Sequence, residues 1–595
     1  MRRLLVPAAI LVLSFAAYAP SLQFKYVQDS FHAVKINPVV ERGDVGEIFT
    51  SDYWKETISL ARTLYRPVTV LSFAVERAAA GESDPRISHL VNVLVHACAA
   101  FLLYLLMRRI GAGEFVASVA AAVFAVHPLL LQAVVNVVGR ADLLAAAFSL
   151  AALATFSFAG RGPTGAISGP VARRLGAWAT GLLVFAALGS KEIGIAVIPL
   201  MLVFDLLYRF PDRARDRAWW MERAGAWSPS VIATLCYLHL RTIAIGDFPG
   251  WQRLAPEDNV LVGLEGLARV ATSLALLARY VGLLFWPRGM SPDYSGNVIG
   301  RESSLLALAP LAGLVALLLL VGLAVRPLVA RAARTTSFGA WLFLAPYLLI
   351  GNLLVLNAAG FAERLIYFST TGFCLLLAVV LDRTPSWFPG GRRKIVRRAT
   401  VVWVAIVLVA GIVQTRRASQ MWATHDGMFA YALKVAPRSL RANLTRAGNL
   451  EAEGKLDEAL AAYEHVTEIF PEYGGAWSSR GILLARAGDL DEAERSLRRA
   501  VDVRPGVGEV HLNLGLVLLH RGDPAGAERE FRRALLLDPG LVAAAAQLGH
   551  VLFQSGRYAE AAHFYGGCVQ LGREDLRPNL SESLSRARAA GTPVR

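Results

Sequence analysis

The chain has 595 residues, of which 55% are hydrophobic and only 18% charged, with a formal net charge of +15. A mean hydropathy of +0.45 is too apolar for a soluble chain of this length, so the composition implies a polytopic membrane protein. Its four cysteines, Cys98, Cys236, Cys374 and Cys568, lie far apart with no CxxC or Cys/His spacing, which leaves neither a disulfide framework nor a metal-thiolate site to expect.

In chain order, apolar runs long enough for a hydrocarbon core of about 30 Å fall near 4–20, 87–107, 115–134, 141–159, 176–190, 194–208, 228–242, 262–286, 303–325, 336–355, 364–381 and 399–413. Six basic segments lie among them: "MRR", "MRRIGAGE", "GRGPTGAISGPVARR", "YRFPDRARDRAWWMERAGA", "RPLVARAART" and "DRTPSWFPGGRRKIVRR". Together they hold 21 Lys/Arg against 5 Asp/Glu, a surplus of 16 that accounts for the whole net charge of +15. They are the cytoplasmic loops under the positive-inside rule, so the high pI needs no nucleic acid. Parity makes 262–286, which carries Glu265, Arg269 and Arg279, a re-entrant or interface-lying helix. About eleven spans remain, with the N-terminus inside and everything after 413 outside. A cleaved signal peptide is the alternative for residues 1–20.

The last 170 or so residues repeat with a period of 34: Gly454, Gly488, Gly522 and Gly556; Ala459, Ala493, Ala527 and Ala561; Pro471, Pro505 and Pro539; and bulky Tyr463, Leu497, Phe531 and Tyr565. Small residues for close helix pairs, a turn glycine and a terminating proline specify four tetratricopeptide repeats. Their stacked superhelix suits an extended peptide or a partner helix, or serves as a spacer. The expected fold is all-α: a transmembrane domain over 1–413 whose first external loop is 21–86, a connector over 414–438, repeats over 439–575 and a tail over 576–595.

Ionisable residues at the edge of an apolar bundle are expensive and are usually functional or paired. On the external side these are Asp29 and His32 in "YVQDSFHAVKINP", His127, Arg140 and Asp142 in "VVGRADLL", Lys191 and Glu192 in "SKEIG", Asp293 in "SPDYS", and Glu363, Arg364 and Tyr367 in "AERLIYFS". An isolated pair of this kind is often only a helix cap or an ion pair. Several on one side predict a cavity.

The order "VQDSFHAVKINP", "LYRPVTVLSF", "SHLVNVLVH", "HPLLLQAVVNVVGRADLL", "GSKEIGI", "LLFWPRGMSPDYS" and "AERLIYFSTTGFCLLL", all before a tetratricopeptide tail, resembles the transmembrane and tetratricopeptide repeat-containing O-mannosyltransferases and their bacterial relatives. The resemblance covers essentially the full length. It implies the C-type glycosyltransferase architecture, in which a hexose passes from a polyprenyl-phosphate carrier to an acceptor hydroxyl at the outer face, the acceptor being protein Ser/Thr. By resemblance the first external loop carries an acidic pair, here Asp29 and Ser30, followed by Ala33, Val34, Asn37 and Pro38. Asp29 is then the expected general base, with His32 as the fallback. Arg140, Lys191 and Arg364 are the candidates for donor-phosphate binding, and His127, Asp142, Glu192, Asp293, Glu363 and Tyr367 for the supporting site.

Two positions depart from the pattern: Ser30 replaces the second acid, and Gln132 stands where an acid is expected in the "HP" segment. The expected reaction therefore needs no metal or other cofactor. A divalent cation held by paired carboxylates is the alternative, and it would have lost a ligand. A membrane-anchored scaffold with a degenerate bundle is the rival function. High Ala, Arg and Gly content suggests a bacterial source, which would place the chain in the inner membrane with its repeats in the periplasm; in a eukaryote the same face would be the endoplasmic reticulum lumen.

Overall fold

The computed structural model describes residues 2–55, 64–81, 83–158, 169–209, 217–246, 254–326 and 333–591. Parts of three of the basic loops, 159–168, 210–216 and 327–332, lie outside the described residues, as do 56–63, 82, 247–253 and the end of the tail. Among the described residues every regular element is a helix, and one isolated bridge pairs Gly296 with Ser439. The chain divides into two compact units: Met1–Tyr294 with Ile299–Ala436, and Ser295–Val298 with Pro437–Arg595.

The first unit is the membrane part. Among the described residues nine of its helices are long and apolar enough to cross a membrane, or ten if Glu114–Val126 and Pro128–Val135, bent by 51°, count as one span. Every apolar run of the sequence is a helix. Those at 194–208 and 336–355, however, fold as Val197–Tyr208 and Arg334–Ile350, 12 and 17 residues long. At 1.5 Å per residue these reach about 18 and 26 Å, less than a full hydrocarbon core. The first helix is integral to the bundle: Tyr18 is fully buried and its hydroxyl donates to the His127 carbonyl at 3.4 Å. Glycines set close helix approaches; a Cβ on Gly181 would stand 2.7 Å from the Pro229 carbonyl.

The helix Gly266–Phe285 satisfies the length and composition of a span, yet its two flanking loops meet. Arg301 Nε donates to the Val260 carbonyl at 3.2 Å, and both loops bond to the connection between helices Arg334–Ile350 and Tyr367–Arg383. On the N-terminal side Asn259 Nδ2 donates to the Asn357 carbonyl at 2.7 Å. On the C-terminal side the Ser291 N–H donates to Glu363 Oε1 at 2.9 Å. Both flanking loops are thus tied to the same inter-helix connection.

In the second unit the 34-residue period has a direct structural reading. Gly454, Gly488, Gly522 and Gly556 all sit at positive φ, 78°, 88°, 81° and 74°, where a side chain is strained, so the chain can reverse between paired helices. Ala459, Ala493, Ala527 and Ala561 are fully buried, and Tyr463, Leu497, Phe531 and Tyr565 fill the seam. A further set of glycines receives those large side chains: a Cβ on Gly515 would stand 2.6 Å from the Phe531 ring, and one on Gly549 2.9 Å from Tyr565. Four helix pairs run from Leu440–Ala452 to Tyr558–Gln570. Two regions read as connector and tail are helical as well: the connector contains His425–Val435, and the tail contains Arg577–Ala589, which packs on Tyr558–Gln570.

Candidate active site

The described part of the first loop packs around a small core of its own. Ala33, Val34, Val39, Val40, Ile48, Tyr53, Val70, Phe73, Ala74 and Val137 pack together. Asn37 caps the short helix Pro38–Arg42 by accepting from the Val39 and Val40 N–H groups, with proline at the first helical position. The same side chain donates through Nδ2 to the Tyr53 carbonyl at 3.3 Å. The "AVKINP" stretch is therefore scaffolding that fixes its neighbours on either side.

Asp29 is one of those neighbours. It is exposed and has no side-chain hydrogen bond among the described residues. Gln28, immediately before it, has φ of +49°, a left-handed conformation that costs a non-glycine residue about 1–2 kcal/mol. Phe31–Lys35, just after it, forms a single π-helical turn, a feature that gathers at functional sites. Strain on one side and a π turn on the other hold this carboxylate at the surface. Ser30 does not sit beside it as a second ligand: it is fully buried, and its hydroxyl donates to Asn136 Oδ1 at 3.0 Å. His32 rests edge-on against Phe31 and its buried Nδ1 has no partner.

The predicted cations divide into three kinds. Arg140 is fully enclosed: Nη1 lies 2.6 Å from Glu76 Oε2, Nε donates to Asn92 Oδ1 and Nη2 to the Ser88 carbonyl, both at 2.9 Å, and the guanidinium covers the Phe73 ring. Its charge and its fork are taken up by the protein. Lys191 is bound by Asp142, Nζ lying 2.7 Å from both carboxylate oxygens. Burial pulls the Lys191 ammonium below its ordinary range, Asp142 opposes that pull, and the Arg66 and Arg364 cations add to it. Arg364 is the third kind: its backbone N–H donates to Gln132 Oε1 at 2.9 Å, while its half-buried guanidinium has no hydrogen bond or ion pair among the described residues.

Gln132 shows why an amide serves in the "HP" segment. Its oxygen accepts from Arg364 and its Nε2 donates to the Pro292 carbonyl at 3.3 Å, so it joins the "AERLIYFS" and "SPDYS" turns. A carboxylate can only accept and would oppose the Pro292 carbonyl. Several supporting candidates are likewise structural ties. His127 uses both nitrogens, Nε2 with the Leu284 carbonyl at 2.9 Å and Nδ1 with the Leu129 N–H at 3.2 Å. The Tyr367 hydroxyl bonds His96 Nδ1 at 2.8 Å. Glu363 accepts from Ser291 and, at 2.6 Å, from the Tyr294 hydroxyl. Asp293 is buried, and its N–H is held by Ser291 Oγ at 3.3 Å. Glu192 pairs with Arg66 at 3.0 Å.

Arg66, Glu76, Asn92 and Tyr53 are site residues not singled out from the sequence. Tyr53 is central: burial pushes its phenol up to about 12, Asp29 adds to that shift, and Arg66, Arg140 and Arg364 oppose it. Glu76 carried a signal in principle, as the one acid in the mostly apolar helix Pro67–Ala80. Among the described residues no three His, Cys, Asp or Glu side chains gather as a metal site.

The chain is similar to several known proteins. A tetratricopeptide-repeat family model matches residues 479–542. The human protein O-mannosyl-transferase TMTC1 is 25% identical over 79% of this chain and 56% of its own. The mouse TMTC3 protein is 26% identical over 78% of this chain and 51% of its own, and the Caenorhabditis elegans protein F38B6.6 is 26% identical over 80% and 63%. This chain therefore spans between half and two thirds of the length of these relatives. Among solved structures the tetratricopeptide protein YrrB is similar, with 22% identity, 27% of this chain and 84% of that chain covered, and a TM-score of 0.25. The curated homologues of this chain are protein O-mannosyl-transferases of the TMTC family, the family that its motifs resemble.

Proposed function

We propose that the chain is a membrane glycosyltransferase that moves a sugar, mannose by the names of its relatives, from a polyprenyl-phosphate carrier to a protein Ser/Thr hydroxyl. The observation that supports this reading is an exposed Asp29, presented between the left-handed Gln28 and the π turn Phe31–Lys35, together with an Arg364 guanidinium that has no hydrogen bond or ion pair among the described residues. Asp29 takes the acceptor hydroxyl proton as the oxygen attacks the anomeric carbon. The bond from that carbon to the phosphate oxygen breaks, and its electron pair leaves with the phosphate. This leaving group is a weak base and needs no proton donor. It does need positive charge, which Arg364 supplies directly and Lys191 supplies from its Asp142 clamp. Arg140 supports the fold of the site without touching the phosphate. The repeats present the acceptor polypeptide. The reacting face is the non-cytoplasmic one, periplasmic in a bacterium.

Arg364→Lys keeps the charge and loses the planar fork that meets phosphate with two bonds. We expect the variant to insert and purify like the wild type while transfer from a mannosyl polyprenyl phosphate falls about tenfold or more, a loss of one charge-assisted bond. Wild-type turnover in that variant would remove Arg364 from the donor site.

A further inference from the structure

Among the described residues, three buried polar atoms on Tyr53, Arg66 and Glu192 have no hydrogen-bond partner: the Tyr53 hydroxyl, Arg66 Nε and Glu192 Oε1. They are close together. Arg66 Nη2 lies 3.0 Å from the other Glu192 oxygen, and the Arg66 guanidinium carbon lies 5.7 Å from the centroid of the Tyr53 ring. Tyr53 itself is only 3% exposed. A buried polar atom left unpaired costs about 1–3 kcal/mol, and most buried polar groups in proteins are paired. Three together in one place call for a ligand.

Their chemistry says which kind. The phenol donates or accepts, Arg66 Nε only donates, and the carboxylate oxygen only accepts. A phosphate offers acceptors alone and would be repelled by Glu192. A neutral polyol matches the set, since each of its hydroxyls both donates and accepts. The unpaired cation, Arg364, is a separate group that acts on the same phenol. Charge for a phosphate and mixed polarity for a sugar are thus supplied by different residues. The phenol ring is held firmly in place. Its backbone carbonyl is bonded by Asn37, its N–H by the Leu64 carbonyl at 2.7 Å, and its ring packs in the first-loop core.

We infer that Tyr53, Arg66 and Glu192 form the subsite that binds the hydroxyl groups of the transferred sugar, apart from the cation that holds the carrier phosphate. This inference rests on the transfer reading above and adds the residues that recognise the sugar. The test compares the binding of two probes, mannosyl polyprenyl phosphate and sugar-free polyprenyl phosphate of the same chain length, to the full chain and to its Tyr53→Phe variant in detergent. The wild type should prefer the mannosyl lipid, and Tyr53→Phe should lose about tenfold of that preference, the size of one buried hydrogen bond, with sugar-free binding unchanged. Equal wild-type affinity for the two lipids, an undiminished preference in Tyr53→Phe, or a loss of both affinities in that variant would each overturn the inference. A wild-type chain that prefers the mannosyl lipid but forms no glycosylated protein would sink the transfer reading alone and would support the subsite.

Discussion

Asp29→Asn is expected to lower transfer by about 10²-fold or more, the usual contribution of a positioned base, while the chain still binds its donor. The substitution keeps the size and much of the hydrogen-bonding capacity of the side chain but removes its ability to accept the proton. Asp29 is exposed and has no side-chain hydrogen bond among the described residues, so its loss removes no tie from the fold. The backbone that presents it, with Gln28 at φ of +49° and the π turn Phe31–Lys35, is set by neighbouring residues. Single-turnover transfer together with donor binding separates the outcomes. Unimpaired transfer would refute the base assignment and turn attention to His32, whose buried Nδ1 is unpartnered. Loss of both transfer and donor binding would make Asp29 structural.

Glu76→Ala should damage the fold rather than the chemistry. The Glu76–Arg140 pair, 2.6 Å apart with side chains 5% and 0% exposed, is sealed inside the unit. Removing one member of such a pair strands the other charge, at about 3–5 kcal/mol. The full chain in detergent should melt well below the wild type and yield less monodisperse protein. Glu41→Ala is the control: Glu41 pairs with Arg77 on the surface, with side chains 62% and 24% exposed, and such pairs contribute about 0–1 kcal/mol. A Glu76→Ala chain with wild-type melting and weakened donor binding would return Arg140 to the donor site.

These two expectations mark what the sequence could and could not convey. The repeats were legible because each requirement recurs every 34 residues: a left-handed turn glycine, a small alanine in the seam and a bulky residue shortly after it. The membrane helices were legible as apolar runs, and the parity of basic loops set apart 262–286, whose flanking loops meet through Arg301 and Val260. Helix length was less accessible, since an apolar run does not reveal that 194–208 opens inside the 3₁₀ turn Glu192–Ala196 before its helix starts. At the site, motif order gathered the charged residues onto one face but not into pairs. Arg140 finds Glu76 and Lys191 finds Asp142 through tertiary packing of separate helices, and no local spacing distinguishes those engaged cations from the unpaired Arg364. Tyr53 and Arg66 carry no such local signal either, because the burial of their polar atoms is a product of tertiary packing.

The most direct test of sugar transfer itself uses the purified full chain in detergent with radiolabelled mannosyl polyprenyl phosphate and a Ser/Thr-containing protein acceptor from the same cells. The account predicts label in the protein that is released by β-elimination, with formation of sugar-free polyprenyl phosphate in equal amount and neither product in the Asp29→Asn chain. Donor that stays intact in the presence of acceptor and wild-type protein, with the acceptor unlabelled, would contradict it.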